Sequence, residues 1–301
     1  MKKNLRNVLV LALGLITTVS FAQDWNVDSR TRIDMSGDNS MSTADQRATM
    51  GATWGGSDWG IHVSSDVNYT LGGGEDVSMG IYEAYASTDL FGMANMTIGR
   101  QALSYGSGAL MSGNDWGANR TTWDGMTFDL GLSDVADITV GYHSSNQGGV
   151  DEEDAGNMHT NISGSFSGWN VNVLYMTNTG SDDAATGIDL SGGLMGATVS
   201  ASMNTDFDGD EMTSYGLSYA VNDDMSVSVN STSYGETGFS MANTNMSGSW
   251  DDNGGMGYLG ANDEDLSYGL TYNMGGISLS ATMHNVTNAA DEDHERSVTQ
   301  V

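Results

Sequence analysis

Polar and apolar residues alternate with period two along most of this chain, the spacing of a β-strand with two unlike faces. In the first such stretch Trp25, Val27, Thr31, Ile33 and Met35 share one face, and Asn26, Asp28, Arg30, Arg32 and Asp34 share the other. Trp59, Ile61, Val63, Val67 and Tyr69 oppose His62, Ser64, Asp66 and Asn68. Trp169, Val171, Val173 and Tyr175 oppose Asn170, Asn172 and Leu174. A charged face cannot enter hydrocarbon, so it must line a wet interior or meet bulk water. After residue 22 no helical period interrupts this pattern.

Hairpins follow from the residues between the alternating runs. Tyr215 to Tyr219 passes through Asn222-Asp223-Asp224 into Met225 to Val229. A near-copy, Tyr268 to Tyr272, turns at Gly275-Gly276 into Ile277 to Ala281. Asn, Asp and Gly accept the positive φ of tight hairpin turns. Short connections are expected at Ser167-Gly168, Gly192-Gly193 and Asn222 to Asp224, and long ones at Thr177 to Gly187 and Asp206 to Glu211. Barrels of the bacterial outer membrane show this alternation of short periplasmic turns and longer external loops. At about 17–20 residues per strand and connection, residues 23–301 hold about 14–16 strands. The predicted fold is therefore all-β, a transmembrane antiparallel β-barrel. A water-soluble all-β protein with polar outer faces is the competing reading, and it has no need of the loop alternation.

The first 22 residues change the picture by adding a destination. Lys2, Lys3 and Arg6 precede an apolar run, Val8 to Val19, and Ser20-Phe21-Ala22 offers small residues at the −3 and −1 positions of a cleavage site. This is the pattern of a secretory signal peptide, residues 1–22, leaving a barrel at 23–301. With no Cys there is no lipid-anchored lipoprotein, disulfide or thiolate metal site to consider. The leader carries three of the nine basic residues and none of the 39 acidic ones. Six arginines then remain against 39 carboxylates, a formal charge of −33. Such a chain repels nucleic acid and anionic surfaces. Its expected partners are outer-membrane lipid, small hydrophilic solutes and, as an oligomer, further copies of itself. No cofactor is implied. Proline is absent, so no strand loses a ladder donor. The last six residues, Arg296 to Val301, fall short of the roughly 9–11 of a spanning strand, so the closing strand is expected to be incomplete in this sequence.

One segment resembles a known family. Gly99-Arg100-Gln101-Ala102-Leu103-Ser104-Tyr105-Gly106, then Trp116, then Arg120-Thr121-Thr122-Trp123-Asp124-Gly125 is similar to a stretch of alginate-export-like porins. Arg30-Thr31-Arg32 and Gln46-Arg47 resemble the Arg-bearing first strands of that group, and Glu83-Ala84-Tyr85 resembles its E-A-Y strand. The leader ending Phe21-Ala22-Gln23 resembles those of Bacteroidetes-type outer-membrane proteins. The resemblance covers roughly residues 24–132 and implies an antiparallel barrel with a pore. In some members it also implies passage of an anionic polysaccharide through a basic lumen. Six arginines against 39 acids depart from that second property. Rings of carboxylates select cations and neutral solutes.

The candidate pore-lining and constriction residues are Arg30, Arg32, Arg47, Asp28, Asp34, Arg100, Trp116 and Arg120. The arginines could set a transverse field against the acids. For Arg30 and Arg32, ion pairing with Asp28, Asp34 and Asp45 is the plainer alternative. The loop from Tyr105 to Asn119 is the expected inward-folded constriction. A passive pore needs no catalytic residue. The rival enzyme reading is an outer-membrane lipid hydrolase using His143 to activate Ser145, with Asn157 as the orienting group. His143 and Ser145 share a face with Asp137 and Thr139, opposite Ile138, Val140 and Tyr142, so they should point away from lipid. A non-conducting structural barrel is a third reading, opposed by the small polar residues on the inward face. Asp206-Phe207-Asp208-Gly209-Asp210-Glu211 alternates carboxylates but lacks the Gly and Glu positions of an EF-hand, and reads as a solvated loop. His62, His159, His284 and His294 have no ligand spacing, and Gly72-Gly73-Gly74 reads as a hairpin tip.

Overall fold

The computed structural model describes residues 22–35, 43–74, 76–113, 120–133, 136–144, 156–179, 182–240, 259–291 and 295–301. The predicted leader lies outside them, apart from Ala22, as do Trp116 and Ser145. All regular structure among the described residues is β-strand. The strands are β1 (Ala22–Asp34), β2 (Thr43–Gly55), β3 (Trp59–Thr70), β4 (Val77–Asp89), β5 (Asn95–Gln101), β6 (Trp123–Ser133), β7 (Ala136–Ser144) and β8 (Gly156–Phe166). They continue as β9 (Trp169–Asn178), β10 (Ala184–Leu194), β11 (Ala197–Thr205), β12 (Glu211–Ala220), β13 (Met225–Tyr234), β14 (Asp263–Met274), β15 (Ile277–Asn288) and β16 (Arg296–Gln300). They follow one another in sequence order in a sixteen-stranded antiparallel sheet, at the upper end of the expected count.

The chain divides into two units, Met1–Ile81 and Tyr82–Val301. In the first, β1 pairs with β2 from Ala22↔Gly55 to Asp34↔Thr43, and β2 pairs with β3 from Asp45↔Thr70 to Gly55↔Gly60. In the second, each strand from β4 to β16 pairs with its sequence neighbours, and one register shift interrupts β6–β7 between Gly131 and Ser133.

Burial inverts the rule of a water-soluble protein. In the first unit Trp25, Val27, Ile33 and Ile61 are exposed, Val27 at 72%, while Asp66 on the opposite face is 6% exposed. In the second, Tyr215, Leu217, Tyr268, Leu270, Ile277 and Leu279 are exposed, while Ser202, Asn204, Asp265 and Ser267 are buried. In these strands the buried residues are polar and the exposed row is apolar, so the sequence pattern is realised with its apolar row outward. In water such a surface would be untenable, because monomeric soluble proteins rarely expose large contiguous apolar patches. In hydrocarbon it is the low-energy arrangement.

Connection lengths alternate as expected. Ser167-Gly168, Met195-Gly196 and Gly275-Gly276 are two-residue turns with φ positive at both positions, from 51° to 91°. This is the type I′ geometry that suits the right-handed twist of flanking strands. Two expected connections shift. The turn placed at Gly192-Gly193 lies at Met195-Gly196, because β10 runs on to Leu194. Gly192 instead sits inside the strand opposite Trp169, where a Cβ would come within 2.6 Å of the indole. The loop placed at Thr177 to Gly187 shortens to residues 179–183, because β9 and β10 each extend into it. β16 is five residues long and pairs with β15 from Val286↔Arg296 to Thr282↔Gln300.

Candidate pore constriction

The inner face of β1–β3 carries alternating charge. Arg30 stands opposite Arg47, and Arg32 opposite Asp45, with Arg32 Nη2 3.7 Å from Asp45 Oδ2. Thr70 Oγ1 donates to Asp45 Oδ1 at 2.8 Å, and Thr49 Oγ1 donates to the buried Asp66 at 2.7 Å. Arg47 is buried, Arg30 and Arg32 are half-buried, and Asp28 is exposed. The side chain of Asp34 lies outside the described set. Pairing with Asp45 is thus realised for Arg32.

In the second unit the decisive feature is the segment after β5. Residues 102–113 leave the strand, and their apolar tip Ala109-Leu110-Met111 is buried to within 1%. The tip packs in a cluster with Trp123 of β6, Leu174 and Met176 of β9, Ala185 of β10, Met212 of β12 and Tyr234 of β13. Those are inward-facing positions: Met176 pairs with Ala185, and Met212 with Tyr234, in the ladder whose other face exposes Tyr175 and Tyr215. Fully burying a Leu or Met side chain contributes about 1.5–3 kcal/mol, so the tip is a hydrophobic anchor. Phe239, Leu259 and Val286 of β15 complete the cluster, with Phe239 5.6 Å from the Tyr234 ring.

Polar contacts fix the rest of the loop. Tyr105 Oη and His159 Nε2 are hydrogen-bonded at 3.4 Å, and the Tyr105 ring lies 5.4 Å from that imidazole. Burial, reinforced by the Asp129 carboxylate, pushes the Tyr105 phenol far above its ordinary range, so it stays neutral. Ser107 Oγ is 3.0 Å from Ser202 Oγ on β11. Gly106, at φ 58°, approaches the β9–β10 wall so closely that a Cβ would overlap the Asp189 carboxylate. Only glycine fits that passage. The expected constriction loop is therefore an inward-folded segment over its described part, residues 105–113. Beside it lies an open cavity of about 650 Å³ lined by serine, asparagine and aspartate of β7–β12 together with Ala136, Val171, Leu190 and Ala201.

The motif residues of β5 and β6 frame the loop's two ends. Gly99↔Gly125, Arg100↔Asp124 and Gln101↔Trp123 are successive rungs. Arg100 grips Asp124 through both carboxylate oxygens, at 2.7 and 2.8 Å. Arg100 alternates with buried Gln101 and shares the parity of exposed Ile98, which puts it on the outward face and not among the inward constriction set expected of it. Arg120 is buried with its guanidinium 3.2 Å above the Tyr82 ring, a cation–π contact, while the adjacent Thr121 N–H donates to Gly113 O at 2.9 Å. Together they close the loop's exit.

His143 and Asn157 do come together, with Asn157 Nδ2 donating to His143 Nε2 at 3.1 Å. Both are fully buried on the inner face, and Trp123 stands edge-on to His143 at 6.2 Å. A ring so placed cannot reach bilayer lipid. Among the described residues no group of three His, Asp or Glu is arranged to hold a metal. The Asp206 carboxylate is taken up by its own loop, accepting from the N–H groups of Asp208, Asp210 and Ser240 at 2.8–3.0 Å.

No family model and no curated protein sequence matches this chain. Solved structures do. The chain is similar to Pseudomonas aeruginosa OccK11 (OpdR) at 10% identity, covering 90% of this chain and 79% of that one, with a TM-score of 0.61. It is similar to P. aeruginosa OccK5 (OpdH) at 7% identity, covering 92% and 82%, with a TM-score of 0.61. A Salmonella typhi OmpF structure in complex with daunomycin matches at 12% identity, covering 91% and 92%, with a TM-score of 0.58. These are outer-membrane porins, and the fold of this chain is theirs: a transmembrane antiparallel β-barrel.

Sequence reasoning did not find the apolar seat of Leu110 and Met111. The available signal was Leu174, an apolar residue on an otherwise polar row, with Met176 two positions on. The Tyr105–His159 contact and the Asn172–Asp189 rung left no comparable trace.

Proposed function

We propose that this protein is an outer-membrane porin, a passive diffusion channel for small hydrophilic solutes with a preference for cations. The observation that carries the reading is the loop at 105–113 folded onto the polar inner face while the outer face is an apolar row. That combination narrows a wet path without filling it. Export by the leader at residues 1–22 brings the chain to the compartment where such a fold inserts. The short type I′ turns then mark the periplasmic end and the longer connections the external one.

Cation preference is supported by charge. Among the described residues the cavity wall bears Asp137 and Asp189 and no Lys or Arg, in a chain whose formal net charge is −30. Arg30, Arg32, Arg47, Asp28 and Asp34 remain the proposed charged strip of the first unit. Trp116 remains proposed for the constriction. The resemblance to alginate-export-like porins is read as a shared loop base, since Gly99, Arg100, Asp124 and Gly125 form adjoining rungs there. The polyanion path is not carried over.

The test is single-channel recording of the purified protein in planar bilayers across a salt gradient. Stable steps with a reversal potential of cationic sign are expected. An anionic sign would keep the pore and overturn the charge argument; a folded, inserted protein with no steps would end the channel reading.

A further inference from the structure

Two bulky apolar side chains stand where water and backbone both penalise them. Phe91-Gly92, between β4 and β5, has φ of 60° and 70°, and Met195-Gly196, between β10 and β11, has φ of 53° and 85°. Asn, Asp or Gly is at home in such a turn, whereas a larger side chain is strained. Phe91 is nevertheless 93% exposed and Met195 98%, so neither gains a contact with the described chain that offsets the strain. The short connections at the same end of the sheet also expose Met93, Phe166, Met274 and Ile277.

The outward rows show what covers these tips. Ile162 leads to Phe166 on β8, Leu190 to Leu194 on β10, and Leu266 through Leu270 to Met274 on β14, all exposed. The apolar outer face thus runs into the turns without a polar break. At the other end the rows stop on exposed carboxylates, Glu264 on β14 and Glu211 on β12. From Leu266 to Met274 the wall rises about 20 Å, at about 3.4 Å per residue and a tilt of about 40°. The apolar band of an outer-membrane barrel is about 25 Å tall, and with Glu264 beyond Leu266 the remainder is found only at the turns. The tips are also spread out: with strands about 4.8 Å apart, Phe91 and Met274 are separated by about 45–50 Å of wall. A docked protein would need a patch, whereas an arc of separate tips suits a medium that surrounds the wall.

We infer that the short-turn rim between β4 and β15 is seated in the bilayer, with Phe91, Met93, Phe166 and Met195 packed among lipid chains at the headgroup boundary. The β12–β13 turn is the exception: Asn222, Asp223 and Asp224 are exposed there, and at that point the rim meets water. The inference rests on the porin reading, which makes the leaflet the inner one, and it names the partner of this rim.

The chain has no Cys, so single cysteines report one place at a time. Phe91→Cys, Met195→Cys, Asp223→Cys and, on the long-loop rim, Asp208→Cys are labelled with an environment-sensitive fluorophore. The full chain is folded into phosphatidylcholine vesicles with iodide on both sides of the membrane. The labels replacing Phe91 and Met195 should be quenched by nitroxide-bearing lipid and reached by iodide about tenfold less readily than the two replacing aspartates, because ions are excluded from hydrocarbon. Equal iodide access at Phe91, Met195 and Asp223, with no quenching by the nitroxide, would place the tips in water and overturn the inference. An unlabelled double variant, Phe91→Asn with Met195→Asn, relieves the turn strain and removes the apolar tips. It should insert into vesicles several-fold less than the native chain, while the pores it forms conduct as native ones do. Better insertion by this variant would also overturn the inference. A native chain whose tips are shielded but which never conducts would overturn the porin reading and keep the rim.

Discussion

Two bands on the inner wall of β9–β12 are built from the same strands by the same alternation, yet they do different things. One holds Leu174, Met176, Ala185 and Met212; the other, two to six residues away along β9 and β10, holds Asn170, Asn172, Asp189 and Ser191, with Ser200 and Ser202 on β11. The apolar band recruits the chain's own loop tip and becomes dry. The polar band offers such a tip no apolar seat and lines an open cavity with serine, asparagine and aspartate. A β-wall thus writes a plug and a passage into adjoining registers by changing a few inward side chains. The outward row does not change between them.

The largest effect should come from erasing the first band. Leu110→Ala should cost about 2–5 kcal/mol of loop docking, as for other buried leucines, and Leu110→Asp should expel the tip altogether. Single-channel traces of the aspartate variant should show a wider and noisier pore. Unchanged conductance would mean that the seat does not hold the constriction. Next is the passage between the bands. Gly106→Val must adopt a left-handed φ at roughly 1–2 kcal/mol and also overlap the Asp189 carboxylate, so a lowered melting temperature and altered conductance are expected together.

How far this was legible differs between the bands. Alternation in Trp59 to Tyr69 or Trp169 to Tyr175 determines strand, face and environment at once, because a one-residue slip would turn charges into lipid. The polar band was therefore readable from Asn170 and Asn172. The apolar band was not, because the loop that covers it has no period, and Leu110 acquires its partner from strands more than 60 residues away. Gly192-Gly193 looked like a turn by composition, whereas packing of Trp169 onto Gly192 made it strand. Arg100 was expected to line the pore but lies on the outward face, following Gly99, whose φ of 128° departs from ordinary strand geometry.

A smaller effect concerns the edge of the apolar band, where Ser240, next to Phe239, donates to Asp206. Burial raises the Asp206 carboxyl above its ordinary 3.8, although its backbone donors work the other way. The folded protein then binds that proton more tightly than the unfolded chain does. Its contribution to stability is favourable at low pH and is lost as pH rises from about 3.8 through the raised folded value. Asp206→Asn, which keeps an acceptor for Asp208 and Asp210 but loses the one for Ser240, should lose less stability than the native protein does as pH rises above about 3.8. An advantage that grows on acidification would contradict the burial argument. The smallest effect is expected from Arg100→Gln. The pair with Asp124 is partly exposed and contributes on the order of 0–1 kcal/mol, so stability and reversal potential should barely move. A shifted reversal potential would return Arg100 to the ion path.

The type I′ turns also have a kinetic meaning. Ser167-Gly168, Met195-Gly196 and Gly275-Gly276 join strands that pair only with their neighbours in sequence. Contacts of that kind have short loops to close, so hairpins can zip one after another as the chain emerges into lipid. The tip at Leu110 must wait, because its seat draws on β6, β9, β10, β12, β13 and β15. The wall assembles by local steps and the narrowing comes last, a long-range event at the end of a low-contact-order process.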